Sequence, residues 1–328
     1  MVEAMDTRTA ARLGRPLSVI GLGTWQLGAD WGDVSEADAT AILEASVEAG
    51  VTIFDTADVY GDGRSESIIG RFIATHPDVF VATKMGRRLE QVPENYSMEN
   101  FRAWTDRSRA NLGVDTLDLV QLHCPPTAVI ESDEVYDNLD TLVDEGVIAR
   151  YGISVETSAQ ALAAIARPNV ASVQIILNAF RLKPLDGVLP AAAAAGVGII
   201  ARVPLASGLL SGKYTIDTTF AANDHRNYNR NGEAFDVGET FSGVDFETGV
   251  TAAQEFTALA ETLGLSAPTA ALAWLAQLPG VTTVIPGARN VEQARANASA
   301  GSVGELEITE RVTELYDRFF RAEVHERW

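Results

Sequence analysis

One pattern recurs along the chain: an amphipathic helix is followed by a glycine and then by a short apolar run rich in β-branched residues. Clear copies are SVEAG-VTIFDTA, ANLG-VDTLDLVQLH, LVDEG-VIARYGIS and AAAAAG-VGIIARVPL, in which the glycines are Gly50, Gly113, Gly146 and Gly196. Glycine just past a helix end adopts the left-handed conformation without steric cost. A run that is apolar on both faces is typical of a parallel strand covered by helices.

The pattern predicts eight strands, near residues 18–24, 51–55, 79–84, 117–123, 150–154, 171–177, 198–203 and 282–286. It predicts helices near 35–49, 65–74, 98–112, 131–145, 157–166, 186–195, 249–263, 268–278 and 290–299, and Thr157 with Gln160 resembles a capping box. Eight alternations of strand and helix favour a parallel sheet that closes into a (β/α)₈ TIM barrel. We expect residues 1–328 to form this barrel as a single domain.

An open, doubly wound sheet is the structural alternative. It usually has a glycine-rich turn that opens a helix after the first strand, and here that turn reads only GLGTW. Before the eighth strand lies a segment rich in Gly, Asn, Asp and Phe, roughly 212–248, which is typical of a lid or binding loop. The last 20 or so residues, ITERVTELYDRFFRAEVHERW, predict an extra C-terminal helix.

Charge and composition exclude several classes of protein. A formal charge of −20 argues against general nucleic-acid binding, which needs a cationic surface. No run approaches the roughly 20 apolar residues of a membrane span, and the first fifteen residues lack the apolar core of a signal peptide. The single cysteine, Cys124, excludes an internal disulfide and a cysteine-based metal cluster. These features predict a cytoplasmic location.

Polar side chains follow three neighbouring predicted strands. Strand two ends in FDTADVYG, which supplies Asp55 and Tyr60; strand three ends in VATKMG, which supplies Lys84; and strand four ends in LVQLHCPP, which supplies His123. Each residue alone has an ordinary structural explanation, such as a turn cap, a packed aromatic or a core histidine. Active sites of such barrels lie at the carboxyl ends of the strands, so we expect the four to meet there.

Their chemistry is coherent. A tyrosine hydroxyl has a pKa of about 10, and a nearby lysine ammonium favours its phenolate form. Asp55 can keep a partly buried Lys84 charged, and His123 can hydrogen-bond a substrate carbonyl and share the role of proton donor. The set contains no nucleophile and is poor in metal ligands, so we expect no metal. A site that protonates a carbonyl oxygen without a nucleophile points to hydride transfer from a nicotinamide.

The chain resembles the aldo-keto reductase superfamily along nearly its whole length, and its bacterial and potassium-channel-β-like branches most. The matching segments are GLGTWQLG, FDTADVYGDGRSESIIG, VATKMG, LDLVQLHCPP, YGISVETS, PLASGLLSGKY and TTVIPGARNVEQARAN. The resemblance implies that Asp55, Tyr60, Lys84 and His123 form the catalytic tetrad, with Tyr60 as general acid. It also implies that the substrate pocket is lined by Trp25, Trp31, Tyr60, His123 and Cys124.

The cofactor that the resemblance implies is NADPH/NADP⁺, with NADH as an alternative. The residues that match its binding positions are Gly23, Thr24, Trp25, Asp55, Ser154, Gln174, Pro204, Leu205, Ser207, Gly208, Leu209, Ser211, Lys213, Gly287, Arg289, Gln293 and Asn297. Ser154 and Gln174 match the contacts to the nicotinamide carboxamide, and segment 204–213 matches the pyrophosphate loop. The preference for NADPH rests mainly on Arg289, in a region that matches the adenosine 2′-phosphate site.

Three positions depart from the family pattern. Val155 stands where the family usually has an asparagine that contacts the carboxamide, and Cys124 stands where a tryptophan often follows the catalytic histidine. An aromatic ring commonly stacks on the nicotinamide from the sixth or seventh strand. Here the ends of those strands offer no obvious ring other than Phe180.

The preferred function is hydride transfer between NADP(H) and an aldehyde, ketone or sugar hemiacetal. The same residues are compatible with an NAD(P)⁺-dependent aldose dehydrogenase that runs in the opposite direction. Two alternatives from other classes are a cofactor-sensing regulatory subunit with little turnover and a barrel isomerase or lyase that uses Lys84 as a Schiff-base amine. The expected partner is a small carbonyl or sugar substrate, and the sequence leaves monomer and homo-oligomer open.

Overall fold

The computed structural model describes residues 5–28 and 34–328. Strands β1 (Thr7–Thr9) and β2 (Pro16–Ser18) form an antiparallel hairpin. Eight parallel strands follow, each paired with its neighbour in chain order: β3 (Leu22–Gly23), β4 (Ile53–Asp55), β5 (Phe80–Met85), β6 (Leu119–His123), β7 (Tyr151–Ser154), β8 (Val170–Ile176), β9 (Gly198–Arg202) and β10 (Val281–Val284). The strands therefore lie where the sequence predicts them, within a few residues.

The first and last parallel strands close the sheet into a barrel. The backbone N–H of Gly21 donates to the carbonyl of Val284 at 2.8 Å, and the N–H of Val284 donates to Val19 at 2.9 Å. Parallel bridges also join Ile20 to Val284 and Gly23 to Gly287. The (β/α)₈ barrel is thus confirmed, and the open-sheet alternative is wrong.

Every helix predicted from the sequence is present, with bounds shifted by a few residues at most. The helices are α1 (Glu36–Glu48), α2 (Arg64–Ile73), α3 (Met98–Leu112), α4 (Thr127–Ile130), α5 (Asp133–Asp144), α6 (Ser158–Ile165), α7 (Pro184–Ala195), α8 (His225–Tyr228), α9 (Phe246–Thr262), α10 (Ala267–Gln277), α11 (Val291–Ser299), α12 (Thr309–Phe319) and α13 (Arg321–Val324). Within the described ranges, none of these helices combines the length and apolar character needed to cross a membrane.

The local signals that mark the helix ends behave as expected. Gly113 and Gly196 follow α3 and α7 in the left-handed conformation, with φ of 69° and 70°. The Thr157 hydroxyl accepts a hydrogen bond from the backbone N–H of Gln160, and Gln160 Oε1 accepts one from the backbone N–H of Thr157. The predicted capping box is therefore confirmed. Such signals fix the residue at which each helix begins or ends, and so fix the length of the connection to the neighbouring strand.

The hairpin β1–β2 is not predicted by the sequence pattern, because strands of three residues are too short to show alternation. Leu17 of β2, with Ala10 and Leu13 between the two strands, is buried in one apolar cluster with the first residues of several barrel strands, including Ile53 and Phe80. The hairpin therefore covers the amino-terminal end of the barrel. An active site can therefore form at the opposite end, where polar side chains follow the strands.

Segment 212–248 is irregular, as predicted. It holds one short helix, α8, two 3₁₀ turns at Val237–Glu239 and Phe241–Gly243, and the first three residues of α9. The predicted C-terminal helix is present as α12, which continues into α13.

Candidate active site

A buried ion pair joins the ends of β4 and β5. The Lys84 Nζ donates to Asp55 Oδ1 at 2.5 Å and to the carbonyl of Thr56 at 2.9 Å. Both side chains are almost fully buried. Burial lowers the pKa of Lys84, but Asp55 and Tyr60 oppose it, and the net pKa is raised. Asp55 thus keeps Lys84 charged, as the sequence predicts.

Tyr60 lies in the loop after β4, against the same ammonium. Its ring lies beside Lys84, whose Nζ is 5.3 Å from the ring centroid. Burial raises the pKa of Tyr60 and outweighs the lowering by the Lys84 charge. The net direction is opposite to that expected from the lysine alone, and Tyr60 therefore keeps its proton at neutral pH.

His123 ends β6, and its ring centroid lies 6.0 Å from that of Tyr60 in an edge-on arrangement. Burial lowers the pKa of His123 well below its ordinary value, and the cations Arg87, Lys84 and Arg202 lower it further. The imidazole is therefore neutral near pH 7. Its Nδ1 is buried and has no hydrogen-bond partner among the described residues.

The second carboxylate oxygen of Asp55 is held by two amides. Gln174 Nε2 donates to Asp55 Oδ2 at 2.7 Å, and Gln121 Nε2 lies 3.3 Å from the same atom. Gln174, which matches a cofactor contact, is thus engaged with the tetrad in this structure, and sequence reasoning missed Gln121. Ser154 pairs with Gln174 across β7 and β8, and its hydroxyl lies 3.3 Å from the Cys124 sulfur.

The first βα loop is fixed by its own contacts. Thr24 Oγ1 donates to the carbonyl of Asp55 at 2.8 Å and is buried. A Cβ at Gly23 would lie 2.9 Å from the carbonyl oxygen of Ile285, and one at Gly287 would meet the side chain of Gln26. Both glycines therefore let the first and last loops approach closely at the mouth of the barrel.

Aromatic rings surround the entrance to the tetrad. The Trp25 ring lies 6.2 Å from Tyr60, 5.3 Å from His225 and 6.4 Å from Phe235. His225 and Phe235 belong to segment 212–248, so that segment reaches the entrance, as expected of a lid. Trp31, which is predicted to line the substrate pocket, lies outside the described residues.

The loop that matches the pyrophosphate site has an unusual backbone. Val203, Ala206, Ser207 and Gly208 have φ of 54°, 47°, 53° and 95°. A positive φ is uncommon for a residue with a Cβ and rare for a β-branched one. Successive backbone N–H groups in turn conformations can form a concave site for an anion. Here the N–H groups of Ala206 and Gly208 already donate to the carbonyls of Val203 and Leu205, at 3.0 Å and 2.9 Å.

Side chains of this loop are partly committed to the protein itself. Ser207 Oγ accepts from the N–H of Phe241 at 3.0 Å, and Ser211 Oγ donates to the carbonyl of Gly208 at 2.6 Å. Leu209 is buried in the core, whereas Lys213 is exposed. Among the predicted side-chain contacts in this loop, Lys213 is therefore the one whose side chain is both charged and accessible to an anion.

The last loop is ordered by two amide side chains. The backbone N–H of Arg289 donates to Gln293 Oε1 at 2.9 Å, and Asn297 Nδ2 donates to the carbonyl of Gly287 at 3.0 Å. The Arg289 side chain is exposed just before the amino terminus of α11. Gln293 and Asn297 thus shape the loop, and Arg289 remains directed to solvent.

The structure also explains two of the unusual positions. Phe180 is buried 4.7 Å from Phe320, so its ring packs in the interior. Burial raises the pKa of Cys124 to about 12, and Glu156 adds to this, so the residue is a neutral thiol. The strand end that lacks a ring carries Arg202 instead, whose Nη2 lies 3.5 Å from the Cys124 sulfur.

The sequence analysis does not single out four charged residues that lie near Cys124, namely Arg87, Glu156, Arg202 and Glu239. Two of them carry a usable signal, since Arg202 is the only charge in GIIARVPL and Glu156 directly follows strand YGISV. Such isolated charges at strand ends are expensive to bury unless they have partners or a purpose.

The Aldo/keto reductase family model matches residues 19–315. An uncharacterized oxidoreductase of Mycobacterium tuberculosis is 32% identical over 88% of this chain and 85% of its own length. A probable voltage-gated potassium channel subunit beta of Oryza sativa is 29% identical and covers 95% of each chain. The solved structure of a glycerol dehydrogenase from Gluconobacter oxydans superposes with a TM-score of 0.77 at 29% identity, over 98% of this chain and 96% of the other.

Proposed function

The chain belongs to the aldo/keto reductase family, and on that premise we propose that it transfers hydride between NADP(H) and a carbonyl compound, with Tyr60 as the proton donor. The observation that carries this proposal is the buried Asp55–Lys84 pair beside Tyr60 and His123 at the carboxyl ends of the strands. When bound, the nicotinamide would supply the hydride that this set of side chains cannot. The proton that the carbonyl oxygen takes up must then come from a side chain of the protein.

Tyr60 is suited to give that proton during reduction. Its raised pKa keeps the hydroxyl protonated at neutral pH. As the carbonyl oxygen gains negative charge, the proton moves to it, and the adjacent Lys84 ammonium stabilises the phenolate that remains. Oxidation of an alcohol needs that phenolate beforehand, so we propose that reduction is favoured near pH 7 and that oxidation becomes faster as the pH rises.

His123 positions the substrate in this proposal. A neutral imidazole carries one N–H, which can hydrogen-bond the carbonyl oxygen and fix it near the Tyr60 hydroxyl. Because burial and the cations Arg87, Lys84 and Arg202 lower its pKa, His123 is not protonated at neutral pH and holds no imidazolium proton to donate. The proton-donor role therefore falls to Tyr60 alone.

The residues that match the dinucleotide positions fit such a group. We propose that the loop at 203–208, with Val203 and Ala206–Gly208 in the left-handed region, holds the pyrophosphate and that the exposed Lys213 adds a cation. We propose that Gly23 and Gly287 leave room for the cofactor backbone, and that Ser154 and Gln174 bind its carboxamide. Gln174 would then exchange its present bond to Asp55 for one to the cofactor.

Replacement of Tyr60 by phenylalanine tests the catalytic assignment. We expect Tyr60→Phe to lower kcat for aldehyde reduction by roughly 10²–10⁴-fold, the usual contribution of a general acid. NADPH affinity, measured by fluorescence titration, should stay within a few-fold, because the hydroxyl is not a cofactor contact. Tyr151→Phe is a matched control, since the Tyr151 hydroxyl bonds Asp140 at the other end of β7. Retained turnover in Tyr60→Phe would refute the assignment.

Arg289 tests the preference for NADP over NAD. We expect Arg289→Ala to raise the Kd for NADPH by about ten-fold and to leave the Kd for NADH nearly unchanged, because only NADPH carries a 2′-phosphate. Arg295→Ala is the control: it removes a cation from α11 that pairs with Glu48 instead. Equal effects of Arg289→Ala on both nucleotides would exclude a 2′-phosphate contact.

Because one relative is a probable potassium channel subunit, the fluorescence titration with NADPH also tests for a cofactor-sensing protein. Tight binding of NADPH without turnover on any aldehyde, ketone or aldose would support a cofactor-sensing protein. Turnover with NADPH would support the reductase.

A further inference from the structure

Two glutamines share one carboxylate oxygen of Asp55 in the interior of the barrel. Gln174 Nε2 lies 2.7 Å from Asp55 Oδ2, and Gln121 Nε2 lies 3.3 Å from the same atom. All three side chains are buried. A carboxylate that is paired with a lysine only accepts hydrogen bonds, so both amides must present their N–H groups to it. Two donors therefore serve a single oxygen atom.

The two donors are not equivalent. A distance of 2.7 Å is at the short end of the range for an N–H···O hydrogen bond, and 3.3 Å is just beyond its long end. Gln121 Oε1 lies 3.4 Å from Gln174 Nε2, so the two amides also face each other. Gln174 is therefore the main partner of Asp55 Oδ2, and Gln121 lies next to it as a second donor.

Gln121 is an isolated polar side chain in the barrel interior. It lies on β6 beside Lys84 of β5, and His123 is the one other polar residue of that strand. Among the described residues, the hydrogen-bonding contacts of its side chain are with Asp55 and Gln174 alone. Burying an amide costs free energy that an apolar side chain would not cost. The contact with Asp55 is therefore the feature of Gln121 that needs a function.

Binding of the cofactor, in the proposed function, removes the main donor from Asp55. Gln174 would turn to the nicotinamide carboxamide and give up its bond to Asp55 Oδ2. The other oxygen, Oδ1, is paired with Lys84 and is not affected directly. Leaving a buried, charged oxygen without its donor is costly. The enzyme with bound cofactor therefore needs another donor at Oδ2.

We propose that Gln121 is a positioning residue, which takes over Asp55 Oδ2 when Gln174 turns to the nicotinamide. This rests on the proposed function. The Gln121 amide is already 3.3 Å away, so a small approach brings it within hydrogen-bonding distance. Asp55 then keeps its orientation, and the Lys84 ammonium keeps its place beside Tyr60. Gln121 thereby strengthens cofactor binding and supports proton transfer through Asp55, without a contact of its own to cofactor or substrate.

A double-mutant cycle on the two glutamines tests this. The Kd for NADPH is measured by fluorescence titration for the wild type, Gln121→Met, Gln174→Met and the double variant. Methionine is as long as glutamine but has no N–H donor. Gln277→Met is the control, because the Gln277 amide on α10 donates to the carbonyl of Val303 instead. The Tm of each variant shows whether it is folded.

We expect Gln121→Met to raise the Kd for NADPH by about ten-fold when Gln174 is present, because Asp55 Oδ2 is then left without a donor in the complex. In the Gln174→Met background the same change should raise the Kd less than two-fold, because no bond to Asp55 is given up on binding. Gln277→Met should leave the Kd unchanged.

Turnover supplies a second readout. With saturating NADPH, Gln121→Met should lower kcat for an aldehyde by about ten-fold, because Asp55 has lost both amide donors and no longer fixes the Lys84 ammonium beside Tyr60. KM for the aldehyde should stay within two-fold, since Gln121 acts through Asp55. A purely structural role of Gln121 would lower Tm without this split between kcat and KM.

An equal rise in Kd in both backgrounds, or no rise in either, would overturn the role of Gln121, while the reductase proposal would stand. A crystal structure of the wild type with NADP⁺ decides the matter without any variant, should the substitutions prevent folding. We expect Gln121 Nε2 within about 3.0 Å of Asp55 Oδ2 in that complex. Gln174 still bonded to Asp55 there would overturn the role. If the wild type does not bind NADPH, the proposed function itself fails, and the role of Gln121 fails with it.

Discussion

Asp58 is a buried acid that the proposed chemistry does not use. Both of its carboxylate oxygens are shielded from solvent and have no hydrogen-bond partner among the described residues. Burial raises its pKa to about 7, and Glu66 adds to this, while Arg88 and Arg107 oppose it only in part. The folded protein therefore binds the Asp58 proton more tightly than the unfolded chain does.

This predicts that Asp58 destabilises the fold as the pH rises. Its stabilising effect is complete below the unfolded pKa of about 3.8 and is lost by the time the pH has passed about 7. The loss approaches about 4 kcal/mol as an upper limit. Asp58→Asn should therefore raise Tm by several degrees more at pH 8 than at pH 5, as measured by differential scanning calorimetry.

Asp62 provides the control for this experiment. It is exposed in the same loop, and hydrogen bonds and charges of Arg88 and Arg107 lower its pKa. Asp62→Asn should bring no gain in Tm at pH 8. A rise in Tm for Asp58→Asn that is equal at both pH values would contradict the burial of an ionising group.

Individual residues differ in how far the sequence reveals them. Lys84 and His123 are visible because each is a polar interruption at the end of an apolar strand. Arg202 gives the same signal, yet its role depends on Glu239, which lies on irregular chain with no pattern to place it. The sequence predicts charges at strand ends well, and it predicts poorly which distant charge will meet them.

The sequence also does not show whether the pKa of Tyr60 is raised or lowered in the folded protein. The Lys84 charge favours the Tyr60 phenolate, and this much follows from the motif. The opposing effect of burial is larger, and it depends on how closely the surrounding loops pack. Only the folded structure supplies that packing.

Among the larger elements, segment 212–248 is anchored to the C-terminal region. The Trp328 indole N–H donates to Asp236 Oδ1 at 3.2 Å. The ring also lies against Gly243, where a Cβ would be 2.2 Å from Trp328 Cη2. Since Gly243 has φ of 77°, both its backbone and its lack of a side chain are required there.

We therefore predict that Gly243→Ala loosens this segment. The substitution adds a steric clash to a backbone strain of roughly 1–2 kcal/mol, so it should lower Tm and increase the rate of limited proteolysis within 212–248. Gly146→Ala separates the two causes, because Gly146 has φ of 73° but a Cβ added there would meet no atom within 4 Å. Proteolysis of the segment at the same rate in both variants would show that the Trp328 contact does not hold it.

The elements differ in what the sequence can place. Repeated glycine-capped helices locate α3 and α7 within two residues, because caps and periodicity are local. The hairpin β1–β2 gives no such signal, since its three-residue strands depend on burial against Ile53 and Phe80 for their existence. Composition marks segment 212–248 as irregular, but its contacts with Trp25 and Trp328 are long-range and leave no local mark.

The molecule as a whole carries 45 acidic residues against 25 lysines and arginines, a formal charge of −20. Several arginines lie in exposed pairs, such as Arg71 with Glu36, but such pairs contribute little to stability. The 20 surplus negative charges repel one another across a closed barrel, and unfolding moves them apart. Repulsion should therefore outweigh attraction in the overall response to salt.

We predict that Tm at pH 8 rises by a few degrees between 20 mM and 300 mM NaCl, because the Debye length shrinks from about 20 Å to about 6 Å and screens this repulsion. KCl at equal ionic strength should give the same rise, which separates screening from binding of a particular ion. At pH 5, close to the sequence pI of about 4.5, carboxylates begin to take up protons and the net charge falls. The rise in Tm with salt should therefore be smaller there. A Tm that falls with salt at pH 8 would mean that the ion pairs, and not the surplus charge, dominate the electrostatics of the fold.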